Sequence, residues 1–237
     1  MSRISIMLAC VVVAAVAVPS PVLATADRPP FEFAVRQDRL LGGTSGTLVV
    51  SQDGIEFRTA DRKRARRWDY EALKQVRILS PTRVALATYE EQGRLRFGAD
   101  RTYVFDVPGS ISPEVVSFLL ERLERPVVTA VIPPLPEAAL FRVSVKNQAG
   151  PGSGGTLALY DTGIVYITER KGQARFWRFR DVYGVLALDG YQLQVLAYEG
   201  GSGETRAFTF ELKTGLPPGM YDALWQRINA RGRGDKS

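Results

Sequence analysis

The residues best suited to chemistry in this chain are two glutamates at equivalent places in the sequence. Glu90 follows Tyr89, and Glu199 follows Tyr198, a separation of 109 positions between the two pairs. Paired carboxylates can hydrolyse a glycosidic bond as acid and base, provided that they lie about 5 to 10 Å apart in one cleft. Because these two glutamates belong to separate halves of the chain, their positions argue against one shared catalytic site.

Most other catalytic chemistry is missing from the composition. The chain has no histidine, and its only cysteine, Cys10, lies in the N-terminal apolar segment. Histidine is the commonest general base and metal ligand, and a thiolate needs a cysteine. We therefore expect no catalytic triad, no metal site and no cofactor. Gly150 to Gly155 matches the dinucleotide pattern GxGxxG, but a strand pattern follows it instead of a helix, so it is interpreted as a hairpin loop.

Two basic segments are the polar feature of the sequence that suggests a binding mechanism, because their positive charges could attract an anionic partner. If both face the same way, they would attract a polyanion or an anionic membrane surface, at roughly 1 kcal/mol per base. The alternative is a solvated edge whose charges discourage pairing with other strands. The candidate anion- or partner-binding residues are Arg62, Lys63, Arg64, Arg66 and Arg67 in the first segment and Arg170, Lys171, Arg175, Arg178 and Arg180 in the second.

The basic segments lie in equivalent places because the chain contains a long internal repeat. Gly46-Thr47-Leu48 recurs as Gly155-Thr156-Leu157, and Trp68 recurs as Trp177. A repeat of about a hundred residues exceeds the 20 to 50 residues of a solenoid unit. Each copy is therefore predicted to be a complete small domain.

Each copy has the pattern of seven strands followed by one helix. Alternating apolar residues give the strands, and Asp53-Gly54 is a hairpin signal between two of them. In the first copy, residues 31–125, Ser112-Pro113 supplies a helix start with an N-cap and a proline at the first helical position. In the second copy, residues 139–230, the closing helix is predicted to begin near Pro218.

Three further segments flank the copies. Residues 1–26 have a base, Arg3, then an apolar run and small residues, which is the order of a signal peptide cleaved near Ala26. The apolar run is shorter than the roughly 20 residues of a membrane-spanning helix, although retention as an anchor stays open. Residues 126–138 are predicted to be a proline-rich linker, and residues 231–237 a disordered tail. The mature chain is expected to be periplasmic or extracellular, without a transmembrane span.

Seven strands in meander order with a closing helix resemble a pleckstrin-homology-like (PH-like) domain, here in a tandem, exported bacterial form. Trp225 of the second helix is similar to the tryptophan of that family's final helix, and Leu120 occupies the matching place in the first copy. The resemblance implies a mainly β fold, in which each copy is a seven-stranded barrel or sandwich closed by a C-terminal helix. Lipocalin-like barrels are the competing fold. The bases of the family's phosphoinositide sites have no counterpart in strand two of either copy.

These observations favour a non-catalytic, exported binding or scaffold protein that contacts a protein partner or an anionic envelope component. A carrier of a small, lipid-like ligand, in a barrel or between the domains, is the first alternative. A histidine-free carboxylate hydrolase using Glu90 and Glu199 is the second. No nucleic-acid partner is expected, and the sequence leaves the oligomeric state open.

The repeated tryptophans alternate with charged residues and are therefore predicted to belong to the core. Replacing Trp177 with alanine should lower the free energy of unfolding by about 3 to 5 kcal/mol, because a large cavity replaces the ring. Urea denaturation followed by circular dichroism would measure the loss. A change below about 1 kcal/mol would place the ring outside the core.

Overall fold

The computed structural model describes residues 29–38, 42–91, 100–148, 152–200 and 204–230. The predicted signal peptide, the predicted tail, residues 92–99 of the longer loop in the first copy and residues 149–151 of the glycine turn lie outside these ranges. Within them the chain is mainly β, as predicted. No helix in the described ranges is long and apolar enough to cross a membrane.

The first copy contains the seven predicted strands and the predicted helix. They are β1 (Phe31–Gln37), β2 (Thr44–Val50), β3 (Gly54–Arg58), β4 (Arg66–Asp69), β5 (Leu73–Ser80), β6 (Arg83–Glu91), β7 (Asp100–Asp106) and α1 (Pro113–Arg122). Consecutive strands pair antiparallel from β1 to β4 and from β5 to β7, and β7 returns to pair with β1. Between β4 and β5 a single 3₁₀ turn, Tyr70–Ala72, redirects the chain.

The predicted linker contributes a strand of its own. This strand, β8 (Val127–Thr129), is buried at all three positions and runs parallel to β5, with Val127 opposite Val76. Two valines and a threonine are β-branched, which suits a strand packed on both sides. The first residues of the predicted linker therefore belong to the sheet, and only the rest can be a spacer.

The second copy repeats the order of the first. Its elements are β9 (Phe141–Asn147), β10 (Ser153–Tyr160), β11 (Gly163–Ile167), β12 (Arg175–Trp177), β13 (Val182–Asp189), β14 (Gln192–Ala197), β15 (Arg206–Leu212) and α2 (Met220–Asn229). A 3₁₀ turn, Phe179–Asp181, again separates the fourth strand from the fifth. The edge of β12 pairs with β8 through Phe176 and Thr129.

All the described strands consequently form one open sheet of fifteen strands. The order is β13-β14-β15-β9-β10-β11-β12-β8-β5-β6-β7-β1-β2-β3-β4. The expectation that each copy closes into a barrel is wrong. In each copy a 3₁₀ turn separates strand four from strand five, so these two strands do not pair with each other. Strand β8 instead pairs with the fourth strand of the second copy, β12, and with the fifth strand of the first copy, β5.

The glycines of the repeat lie where two strands approach closely. A Cβ at Gly54 would lie 2.2 Å from the carbonyl oxygen of Trp68, and one at Gly163 would lie 2.3 Å from that of Trp177. Both glycines are therefore required for strand four to pair with strand three, which explains why they recur.

The two cores are built around the repeated tryptophans, as predicted. Trp68 and Trp177 are 2% and 1% exposed. The core of the first copy also includes Tyr160, Val165 and Phe176 from the second copy, so the packing continues across the junction. Helix α2 buries Met220, Leu224 and Ile228 and leaves the Trp225 ring half exposed.

Replacing Gly163 with alanine should destabilise the chain by about 1 to 3 kcal/mol, since the added methyl group forces two strands apart. Chemical denaturation would measure the effect. Gly184→Ala is the matched control, because its Cβ would meet nothing within 4 Å. Equal effects of the two substitutions would contradict this explanation.

Candidate functional site

Glu199 is the centre of a buried polar cluster in the second copy. Its carboxylate accepts hydrogen bonds from Nε of Arg175 at 3.0 and 3.2 Å and from the indole N–H of Trp177 at 2.8 Å. Nη1 of Arg175 donates further bonds to the carbonyls of Gly172 and Ala174. Both members of this ion pair are almost fully buried. Burying a charge requires a partner of this kind, and the cluster provides one.

The first copy contains the same elements in a more open form. The indole N–H of Trp68 donates to Glu90 at 3.2 Å, and the hydroxyl of Tyr103 donates to the same carboxylate at 2.6 Å. Arg66, the counterpart of Arg175, makes the equivalent bonds to the carbonyls of Lys63 and Ala65. The ion pair differs, because Glu90 lies 3.8 Å from Nη1 of Arg101. The pKa of Tyr103 is raised, mainly by burial and secondly by the hydrogen bond to Glu90.

The two glutamates thus each hold a core tryptophan in place. Each accepts from the indole of its own copy, 22 residues earlier in the sequence. The same glutamates are the carboxylates of the alternative hydrolase hypothesis. These hydrogen bonds give both glutamates the same structural role, which explains why a glutamate occurs at this position in each copy.

Arg178 makes the most extensive set of contacts of any base in the described chain. Its Nε and Nη2 donate to Asp181 at 2.7 and 2.9 Å, which forms a bidentate ion pair. Its Nη1 donates to the carbonyls of Leu120 and Leu123, and Nη2 also donates to that of Arg125 at 2.9 Å. These five bonds use all five N–H donors of a guanidinium.

The three carbonyls that Arg178 binds lie at the C-terminal end of α1 and just beyond it. The last carbonyls of a helix have no partner within the helix, and the helix dipole favours a cation there. Arg178 therefore caps a helix of the first copy from the second copy. A side chain of the first copy also contacts the second copy. The side-chain amide of Gln75, in β5, donates to the carbonyl of Tyr198 at 3.0 Å.

The ten candidate bases are not equivalent in the structure. Arg175 and Arg178 are buried in the ion pairs above, and Arg66 and Arg180 are partly buried. Arg64 is exposed and paired with Asp61, and exposed Arg67 lies 3.7 Å from Asp69. The bases that are exposed without an ion pair in the described ranges are Arg62, Lys63, Arg170 and Lys171.

The two basic hairpins are also far apart in the sheet order. Strand β4 ends the sheet, whereas β12 lies at its centre, next to β8. The second hairpin is thus adjacent to the first copy: a Cβ on Gly172 would lie 3.2 Å from the carbonyl oxygen of Leu79. The first hairpin has no strand beyond it among the described residues. The two basic hairpins, which were predicted to act together, therefore lie in different places. The second is at the junction between the copies, and the first is at a free end of the sheet.

One apolar cavity among the described residues is too small for a ligand. The apolar space between the sheet and α1 in the first copy, lined by residues such as Leu48, Ile78 and Leu119, holds only about 10 Å³. A wider groove of about 610 Å³ is open to solvent beside Gly154 and Arg170. In the described ranges no three His, Cys, Asp or Glu side chains come together as a metal site would require.

Comparisons with known proteins identify no family. No protein-family model matches the sequence, and no curated protein matches it. One solved structure with a similar chain is described as the Spt16D Pob3N heterodimer. The similarity covers 77% of this chain and 95% of that chain, at 5% identity and a TM-score of 0.28. A similarity of this size carries no conclusion about fold family or function.

Sequence reasoning missed the structural roles of Glu199 and Arg178. A signal for the first was available, because the spacing from tryptophan to glutamate is the same in both copies. No such signal exists for Arg178, since its counterpart 109 positions earlier is Asp69. Its partners at the end of α1 and just beyond it are more than 50 positions away in sequence.

Replacing Arg178 with methionine should lower the free energy of unfolding by about 3 to 5 kcal/mol, because Asp181 loses its buried counter-ion and helix carbonyls lose their donor. Thermal and urea unfolding would measure the loss. Arg180→Met is the control, since Arg180 is more exposed and forms no ion pair in the described chain. Similar stabilities of the two variants would show that the contact to α1 is unimportant.

Proposed function

We propose that this chain is a non-catalytic, exported binding protein of two PH-like domains, which contacts an anionic envelope component through its first basic hairpin. We define the first basic hairpin as residues 58–69. The observation that carries the proposal is that this hairpin remains exposed at the free end of the sheet, whereas its counterpart lies at the junction.

Both copies support the PH-like assignment by their order of elements. In each, strands one to four and strands five to seven form two antiparallel groups that are joined by pairing of strand seven with strand one. A helix follows strand seven in each copy. The N-terminal signal pattern supports export, and the lack of histidine and of any cysteine beyond Cys10 supports a binding role.

The charge of the first basic hairpin suits an anionic surface. Residues 58–69 contain six bases and two acids. Arg62 and Lys63 are at the exposed turn and form no ion pair within the described chain. Each base close to an anionic membrane surface contributes roughly 1 kcal/mol, and salt screens the attraction. The same chemistry would suit an acidic patch on a protein partner.

The fold holds this hairpin at one end of a continuous sheet. Because β8 and Arg178 join the copies, the hairpin and the second copy form parts of one body. A second surface, at the opposite end of the sheet, would therefore stay at a defined place relative to whatever the hairpin binds. This arrangement supports a scaffold or adaptor role.

The double substitution Arg62→Glu and Lys63→Glu should reduce binding to vesicles of mixed neutral and anionic phospholipid by at least roughly tenfold, because the change reverses two charges. Vesicle sedimentation at low and high salt would measure it, and wild-type binding should weaken as salt rises. Arg206→Glu with Lys213→Glu, two exposed bases of the second copy, is the matched control. Salt-insensitive binding, or equal loss in both variants, would contradict the proposal.

A further inference from the structure

We propose that the free edge of β13 is a docking site for an extended, β-branched strand of a partner protein, which would pair parallel to β13 as β8 pairs with β5. The evidence is internal to the chain, because β5 and β13 are equivalent strands in the two copies and only β5 is paired with a further strand at this edge. The site lies at the other end of the sheet from the first basic hairpin and is independent of it.

The covered copy shows how a strand occupies this edge. The N–H of Val76 donates to the carbonyl of Pro126 at 3.3 Å, and the N–H of Ala130 donates to the carbonyl of Ile78 at 2.8 Å. Val76, Ile78 and the three residues of β8 are all fully buried. Strand β8 thus supplies both backbone hydrogen bonds and apolar cover.

The second copy presents the same edge without a covering strand. Val185 is the counterpart of Val76, and it has the same register, since Val185 lies opposite Val195 as Val76 lies opposite Leu86. In the described sheet β13 pairs only with β14. The positions equivalent to buried Ile78 and half-buried Leu79 are Ala187 and Leu188, and both are exposed.

The exposed apolar residues of the described chain concentrate at this place. Of the eight large hydrophobic residues that are exposed, four lie between positions 183 and 191. They are Tyr183, Leu186, Leu188 and Tyr191. An unpaired strand with exposed apolar side chains is a template for strand addition, and such edges are usually protected by charges. The opposite edge, β4, has that protection in Arg67 and Asp69.

The occupant that we propose is a strand of a separate protein. In the first copy β8 follows α1, whereas residues 231–237, which follow α2, contain no apolar residue and do not resemble β8. A second copy can offer either edge of the described sheet, β4 or β13. At β4, Asp69 takes the place of Arg178, and a carboxylate is repelled by the C-terminal carbonyls of a helix. Two β13 edges related by a two-fold axis would pair antiparallel, unlike β8 on β5.

The chemistry of the occupant follows from β8 itself. It is an extended segment with valine, isoleucine or threonine at successive positions, since these residues favour a strand that is packed on both faces. Backbone hydrogen bonds would provide the affinity, and the side chains of Leu186 and Leu188 would contact its apolar residues.

The test uses the full chain and a labelled synthetic peptide with the sequence of residues 125–132, Arg-Pro-Val-Val-Thr-Ala-Val-Ile, extended by two lysines for solubility. Fluorescence anisotropy should show saturable binding, and hydrogen exchange should show slower exchange of the β13 amides. Leu186→Lys with Leu188→Lys should weaken binding by at least roughly tenfold, because edge lysines oppose strand addition. Both side chains are exposed, so the variant should unfold at the wild-type temperature.

The matched controls separate this site from general stickiness. Ile167→Lys alters an exposed aliphatic residue on β11, which is not an edge strand, and should leave the affinity within about twofold. A peptide with N-methyl groups at the second valine and the alanine loses backbone donors and should bind at least roughly tenfold more weakly. Binding without protection of β13, equal binding by the lysine variant, or no saturation below about 1 mM would each overturn the proposal.

Neutral phospholipid vesicles test whether the exposed apolar residues contact a membrane instead of a partner strand. If the residues from 183 to 191 instead insert into a membrane, wild type would bind these vesicles, the lysine variant would not, and the peptide would bind neither protein. That outcome would overturn strand docking. It would leave the proposed role of the first basic hairpin unaffected, because that role is measured by salt-sensitive binding to anionic vesicles.

Discussion

The arrangement of the two halves depends on one guanidinium group. Arg178 of the second copy forms a bidentate ion pair with Asp181 and donates to three carbonyls at the end of helix α1 in the first copy. A buried cation of this kind is tolerated only when all its donors are satisfied. The geometry of the junction is therefore strongly constrained, because a small shift of one half would break several charge-assisted hydrogen bonds at once.

Strand β8 performs the same joining function through the backbone. It lies between a fourth strand from one copy and a fifth strand from the other, so that the two antiparallel groups become a single sheet. One basic hairpin and one covered strand edge lie at the junction. The equivalent hairpin and the equivalent edge then remain at opposite ends of the molecule, the first basic and the second apolar. One repeated sequence pattern thus presents two different surfaces.

Much of the secondary structure could be predicted from local patterns. Alternation of apolar residues gave the strands, and the proline after Ser112 gave the start of α1. The alternation around the repeated tryptophans identified Trp68 and Trp177 as core residues. The errors lie where a residue has a distant partner. Arg175 and Arg178 were predicted to be binding bases, and the linker was predicted to be a spacer at Val127. Both predictions failed because burial and pairing depend on neighbours that local sequence does not reveal.

The sequence by itself determined the order of the elements, the duplication and the absence of histidine chemistry. These properties follow from periodicity, spacing and residue type, which are local. Only the tertiary structure decided that the copies share one open sheet, that Glu90 and Glu199 hold tryptophans, and which of the ten candidate bases remain exposed. The physical reason is that pairing and burial arise from contacts between residues far apart in sequence. Two copies with nearly the same local pattern therefore acquire different surfaces according to what packs against them.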